Sequence, residues 1–172
     1  EDPLLAVCPV SVRVEDEAGA GGNKVSAMFA SLATDIEDPD ERLHAICEST
    51  EGAKEDHNAI GARTLTDWAE WAAPRTFGLA SRLYSSMNLA NSHRPIHNLV
   101  ISNVPGSPVP VYFAGAKLAS YYPVSIVVHS MALNVTVQSY AGRLDYGLIA
   151  CRRAVPDITD LGDYLLAEHQ AL

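Results

Sequence analysis

The chain has 172 residues and a formal net charge of −9, and 48% of its residues are hydrophobic. This composition is typical of a globular protein with enough apolar mass to form a core. The acidic balance argues against a nucleic-acid surface and against electrostatic attachment to an anionic membrane, since both require basic patches. No apolar run has the length of a membrane span, and no signal peptide is recognisable.

Three cysteines, Cys8, Cys47 and Cys151, are widely separated and set among apolar residues. This pattern predicts reduced core thiols in an intracellular, cytoplasmic protein, and the spacing matches no zinc site. The chain begins at Glu1 without an initiator Met, and we expect it to be a piece of a longer product.

The amino-terminal region reads as a strand followed by a loop and a helix. Leu4–Val14 is rich in Val and Leu, which predicts a strand, and Pro9 within it predicts an edge or a bulge. The acidic and then glycine-rich Glu15–Lys24 predicts a loop. Val25–Leu32 is expected to form a short helix, and a break follows over Thr34–Pro39.

A second helix has a clear start signal. Asp38 suits the N-cap, Pro39 the first helical position and Glu41 the third position of a capping box. Lys54 beside the apolar face is expected to extend its ammonium group to water. The predicted apolar face comprises Leu43, Ile46, Cys47, Thr50 and Ala53.

Residues 64–90 predict two helical pieces divided at Pro74. Each piece carries an apolar stripe, which predicts core packing. The alternative is an exposed apolar surface near a lipid substrate. The stripes are Trp68, Trp71 and Ala72 in the first piece, and Leu79, Leu83 and Met87 in the second.

From residue 97 onward the pattern changes to strands, with a hairpin turn at Ala141-Gly142. A final helix is predicted from about Asp157 or Thr159 to Glu168. The predicted strands are 97–104, 110–114, 116–121, 124–129, 132–140 and 143–151. We therefore predict a single α/β domain over residues 1–172. It is a two-layer sandwich of a mixed, largely antiparallel meander with helices on one face.

A search for catalytic motifs finds none. His93 and His97 have zinc-helix spacing, but Pro95 lies between them and a surface loop is the better interpretation. Gly19–Lys24 has the wrong spacing for a phosphate-binding loop. Cys8 lies in an apolar strand, which predicts a buried, inert thiol. No catalytic acid, base or nucleophile is recognisable in the sequence.

Two polar features interrupt the apolar strands. Ser102-Asn103 ends one strand and leads into the turn residues Pro105-Gly106. Asn134, Thr136 and Gln138 alternate with apolar residues in another strand. The ordinary interpretation is that this second face meets water. The alternative is a channel wall whose amide dipoles suit a neutral, polar-headed substrate such as an ester or an alcohol.

Several short stretches are informative when taken together: Pro9–Arg13, Gly22-Asn23, Asp38-Pro39, Arg42-Leu43, Ser102–Gly106, Tyr122–Ser125, Ala132–Tyr140 and Gly142–Leu144. In this order and spacing they resemble the C-terminal half of the bacterial wax ester synthase/diacylglycerol acyltransferase family in its mycobacterial form. The resemblance covers nearly the whole chain.

The resemblance implies a fold similar to one half of chloramphenicol acetyltransferase and condensation domains, with a tunnel between two halves. The family's catalytic motif, His-His-x-x-x-Asp-Gly, belongs to the N-terminal half, where its second His is the general base. That motif is absent from this sequence, so we expect the chain alone to be inactive.

The resemblance also implies roles for particular residues. Asn103 would orient the substrate or stabilise a developing oxyanion, and the alternative is that it caps a turn through its own backbone. The implied tunnel residues are Ser102, Asn103, Pro105, Gly106, Asn134 and Gln138. Arg13 and Asn23 are interface or structural candidates.

The implied activity is transfer of an acyl group from acyl-CoA to diacylglycerol, or to a long-chain alcohol to give a wax ester. No cofactor or metal is implied, because acyl-CoA is a substrate. The implied partners are the N-terminal domain, these lipids and, peripherally, a membrane or lipid droplet. Because a separated half would expose apolar surface meant for its partner, we also expect either a second copy of the isolated domain or the N-terminal chain to cover that surface. The alternative function is a non-catalytic lipid-binding or protein-interaction module.

Overall fold

The computed structural model describes residues 2–11, 25–60, 82–83, 86–87, 96–127 and 131–171. The chain divides into two compact units, residues 1–98 and 99–172. Several sequence predictions fall outside the described residues. These concern Arg13, Asn23, the loop Glu15–Lys24, the tryptophan stripe Trp68, Trp71 and Ala72, and also Leu79, His93 and Pro95.

In the first unit, strand β1 (Leu5–Ser11) pairs antiparallel with strand β2 (Val25–Ser31). The predicted first strand is therefore confirmed. The register runs from Leu5 opposite Ser31 to Ser11 opposite Val25, and it is continuous through Pro9 opposite Ala27. The bulge considered at Pro9 is thus not found in this pairing.

The helix predicted for Val25–Leu32 is wrong, because this segment is strand β2. A seven-residue run of small and apolar residues fits both the 3.6-residue period of a helix and the two-residue period of a strand. Its length is that of a strand rather than that of a helix. In the strand, Ser26, Met28 and Ala30 turn inward, while Val25 and Phe29 are exposed. Pairing with β1 decides between the two conformations.

Helix α1 (Pro39–Ile60) begins where the capping signal predicts. The carboxylate Oδ1 of Asp38 accepts the backbone N–H groups of Asp40 and Glu41, each at 3.0 Å. These bonds satisfy two of the donors that a helix leaves unpaired at its start.

The face that α1 turns inward differs in part from the predicted one. Leu43 and Cys47 are exposed, whereas Ala45 and Ser49 are half-buried along with Ile46. The helix contacts β2, and the hydroxyl of Ser49 accepts the N–H of Ser31 at 2.9 Å. Small side chains on the contacting face allow this close approach. Lys54 is exposed, as expected.

In the second unit, strand β3 (Leu99–Val104) is followed by two short strands, β4 (Tyr112–Phe113) and β5 (Ala116–Lys117). Strands β6 (Leu133–Tyr140) and β7 (Arg143–Ala150) and helix α2 (Ile158–Ala171) complete it. Strand β6 is parallel to β3 and antiparallel to β7, while β4 and β5 form a separate hairpin. Helix α2 contacts β7.

The mixed, largely antiparallel α/β character is confirmed, but the simple meander is not. Strand β3 returns to β6 through a long crossover, because parallel strands cannot be joined by a tight turn. Residues 124–127 form no strand, and the strands predicted over 110–121 reduce to the short β4–β5 hairpin. The placement of both helices on one face, and the likeness to chloramphenicol acetyltransferase, remain predictions.

The hairpin turn at Ala141-Gly142 is confirmed. Both residues have positive φ, +47° and +79°. A two-residue hairpin turn requires this conformation if it is to match the twist of the two antiparallel strands. Helix α2 also begins where predicted and extends to Ala171, three residues beyond the predicted end.

Several residues expected in the core are at the surface. Cys47 and Cys151 are exposed, so only Cys8 fits the prediction of a shielded thiol. Leu83 and Met87 are exposed as well, contrary to the core packing predicted for their stripe. Within the described part of the chain, no helix is both long and apolar enough to cross a membrane.

Candidate functional site

The strand register assigns the candidate residues to the two faces of the β3–β6–β7 sheet. Ser102 lies opposite Thr136, and Val104 lies opposite Gln138. Because directly opposed residues point to the same side of a sheet, Ser102 shares a face with the polar residues of β6. We call this side the polar face and define it by Ser102, Asn134, Thr136, Gln138, Tyr140, Arg143 and Asp145.

The polar residues of β6 are buried, contrary to the expectation that they meet water. Asn134, Thr136 and Gln138 are 4%, 5% and 7% exposed. The hydroxyl of Thr136 donates a hydrogen bond to Oδ1 of Asn134 at 2.9 Å, which fixes the orientation of that amide. Burying such groups is tolerated when their hydrogen bonds are made within the protein.

The crossover from β3 to β6 is hydrogen-bonded to the part of the polar face that Tyr140 and Arg143 form. The hydroxyl of Tyr140 accepts the N–H of Val111 and donates to the carbonyl of Leu118, each at 2.9 Å. The guanidinium of Arg143 donates to the carbonyl of Ala119 at 2.8 Å. The tyrosine hydroxyl thereby closes the base of the β4–β5 hairpin.

Two further contacts join the crossover to strand β7. The carboxylate of Asp145 accepts the N–H of Tyr121 at 3.1 Å. Gly147 then packs against the backbone of Pro123 so closely that a Cβ atom at this glycine would overlap the proline carbonyl. Thr136, Arg143 and Asp145 are not among the predicted site residues, although the alternation in β6 marked Thr136 as part of its polar face.

Asn103 lies on the opposite face from Ser102, Asn134 and Gln138. It is opposite Val137 in the β3–β6 register, and its side chain is exposed. Adjacent residues of a strand point to opposite sides, so Ser102 and Asn103 cannot both face Asn134 and Gln138. The structure therefore brings Ser102, Asn134 and Gln138 together and separates Asn103 from them.

Gly106 continues the path of β3 alongside β6. Its N–H donates to the hydroxyl of Ser139 at 3.0 Å, and a Cβ atom at this position would overlap the carbonyl of Ser139. The N–H of Ala141 donates to the carbonyl of Ser107 at 2.8 Å, so the two backbones stay close together beyond Gly106. A glycine is needed here for close backbone contact, while Pro105 is exposed.

The chemistry available at the polar face is that of neutral dipoles with one ion pair. Arg143 and Asp145 lie 3.9 Å apart at its margin. Among the described residues, no three His, Cys, Asp or Glu side chains are grouped as metal ligands would be. Burial raises the pKa of the Cys8 thiol, so this cysteine stays protonated at neutral pH, as the prediction of an inert thiol requires.

Comparison with known proteins identifies the family. The WS/DGAT C-terminal domain family matches residues 21–172, and the chain belongs to this family. WS/DGAT stands for wax ester synthase/diacylglycerol acyltransferase, the family that the sequence motifs resemble.

Several mycobacterial proteins are similar to this chain. A protein of Mycobacterium tuberculosis strain H37Rv, provisionally named a diacylglycerol O-acyltransferase, is 41% identical over 162 residues. That alignment covers 94% of this chain and 32% of the relative. A similarly named protein of Mycobacterium bovis is 38% identical over 160 residues, which cover 92% of this chain and 34% of the relative.

A solved structure is also similar. The wax ester synthase/diacylglycerol acyltransferase from Marinobacter aquaeolei VT8 superimposes with a TM-score of 0.71 and is 34% identical. The superposition covers 98% of this chain and 36% of the Marinobacter chain. The present chain thus spans about a third of the length of the relatives that it matches.

Proposed function

We propose that this chain is the C-terminal domain of an O-acyltransferase that transfers an acyl group from acyl-CoA to diacylglycerol, or to a long-chain alcohol. The observation that carries the proposal is the match to the WS/DGAT C-terminal domain over residues 21–172. The names of the mycobacterial relatives and of the Marinobacter enzyme support this reaction class.

In this enzyme the chain would form part of the substrate tunnel and of the interface with the N-terminal domain. The base that takes the proton from the acceptor hydroxyl would come from the family's His-His-x-x-x-Asp-Gly motif in that domain. This chain would contribute uncharged hydrogen-bond donors, which suit a neutral diacylglycerol or alcohol better than charged groups would.

The two strand faces favour different roles within the proposed tunnel. Asn103 is exposed at the carboxyl end of β3, so its amide can reach a substrate. Asn134 and Gln138 are buried, which favours a supporting role for them. We therefore assign direct substrate contact to Asn103, where its N–H₂ would stabilise the developing oxyanion.

The reaction is tested with the full-length protein, labelled acyl-CoA and either diacylglycerol or a long-chain alcohol. We expect labelled triacylglycerol or wax ester from the full-length protein and none from residues 1–172 alone. Lipid or partner binding without turnover by the full-length protein would instead support a non-catalytic module.

Asn103→Ala in the full-length enzyme tests the proposed contact. Loss of one donor to an oxyanion lowers kcat by about 10²-fold, so a decrease of this size is expected. The thermal unfolding midpoint is measured alongside as a control for folding. Unchanged turnover in a normally folded variant would remove Asn103 from the tunnel.

A further inference from the structure

A concentration of exposed apolar side chains lies on the crossover between β3 and β6. We call residues 109–126 the arm. Phe113 is 85% exposed, Val124 81% and Ile126 72%. Single exposed apolar residues are ordinary, but a dense group on one short segment marks an interaction surface. The arm carries eight such side chains: Val109, Val111, Tyr112, Phe113, Tyr121, Tyr122, Val124 and Ile126.

The same region is almost free of charge. The chain contains 12 basic and 21 acidic residues, yet the 44 residues from Leu99 to Gly142 include only one of them, Lys117. A surface that stays in water normally carries interspersed charges. Depletion of charge together with enrichment of tyrosine and phenylalanine is the composition of the central part of a protein–protein interface.

The arm is anchored before any partner binds. Tyr140 holds its backbone at Val111 and Leu118, and Asp145 holds it at Tyr121. The close packing of Pro123 on Gly147 holds the backbone next to Val124. Because the backbone is already held, docking the exposed side chains would order few additional groups, which lowers the entropic cost of association.

We propose that the arm is the docking surface for the remaining two thirds of the full-length polypeptide, with Phe113 and Val124 as its anchors. The relatives are about three times as long as this chain, and a full-length protein of that length would carry a large, covalently attached partner for the arm. Such a partner acts at an effective concentration on the order of millimolar. A lipid surface fits less well, since Lys117 is the arm's only charge and the chain as a whole is acidic.

This assignment rests on the proposed function for its partner, the N-terminal domain, but its test does not require activity. In the full-length protein, with its native cysteines replaced by serine, single-cysteine variants F113C and V124C are labelled with a maleimide. L166C is the control, because Leu166 is also an exposed apolar residue, at 62%, and lies on α2 away from the arm. Each rate is divided by the rate of the same variant unfolded in guanidinium, which removes differences in intrinsic reactivity.

We expect F113C and V124C to react at least tenfold more slowly than L166C after this normalisation, at every protein concentration. Equal normalised rates at the three positions would overturn the proposal. Protection that arises only with added phosphatidylcholine vesicles would assign the arm to a lipid surface instead. Protection that disappears on dilution would assign it to a second copy of the chain. Acyl transfer, assayed on the unsubstituted protein, reports on the proposed function separately.

Discussion

At the scale of single residues, Gly147 and Gly52 differ in the space beside them. A Cβ atom at Gly147 would overlap the carbonyl of Pro123, whereas at Gly52, within α1, it would meet nothing within 4 Å. Gly147→Ala is therefore expected to lower the free energy of unfolding by about 1–3 kcal/mol through overpacking. Gly52→Ala is expected to raise it by about 0.5–1 kcal/mol, because alanine favours a helix. Guanidinium unfolding of both variants measures the difference, and equal effects would contradict the arm's packing on β7.

At the scale of the element, the start of α1 depends on one side chain. Asp38 accepts two backbone N–H groups that would otherwise lack partners. Asp38→Ala is expected to lower the free energy of unfolding by about 1 kcal/mol, measured by chemical unfolding followed by circular dichroism. Asp35→Ala removes the same charge from an exposed position before the helix and is the matched control, with an expected effect within about 0.5 kcal/mol. A loss of the same size in both variants would show that charge, rather than capping, is responsible.

At the scale of the whole molecule, residues 1–172 by themselves leave the arm open to water. The isolated chain is expected to self-associate, because burying Phe113 and Val124 against a second copy removes their apolar surface from water. The double variant F113D/V124D is expected to weaken this association, while Y164D/L166D on α2 leaves it unchanged. Sedimentation velocity over a range of concentrations measures it, and a monomeric unsubstituted chain would contradict the prediction.

The sequence predicted the elements whose signals are local. The cap at Asp38, the Ala141-Gly142 turn and the strands β1, β3, β6 and β7 each depend on neighbouring residues, and each is found where expected. The helix prediction for Val25–Leu32 failed because a short apolar run has no decisive period. Pairing with β1 gives Val25–Ser31 the strand conformation. The strand predicted over 124–129 failed at residues 124–127 for a related reason. β-Branched residues favour a strand only where a partner strand is available.

The candidate site was predictable only as a set of residues. The alternation in β6 placed Asn134 and Gln138 on one face. The prediction grouped Ser102 with Asn103, although adjacent residues of a strand point to opposite sides, and the register of β3 with β6 separates them. Which face was buried did not follow from the pattern, because a polar face is ordinarily the one that meets water. The contacts that bury it join residues far apart in the chain, such as Tyr140 with Leu118 and Gly147 with Pro123.

By itself the sequence determined the family, the strands β1, β3, β6 and β7, the helices α1 and α2, and the absence of the family's His motif from this chain. These properties follow from the identity and spacing of residues, which the folded structure does not change. The tertiary structure alone decided that the polar face of β6 is buried and that the arm presents apolar side chains to solvent. Burial depends on which distant segment covers a face, and the hydrogen bonds of Tyr140 and Asp145 fix that arrangement here.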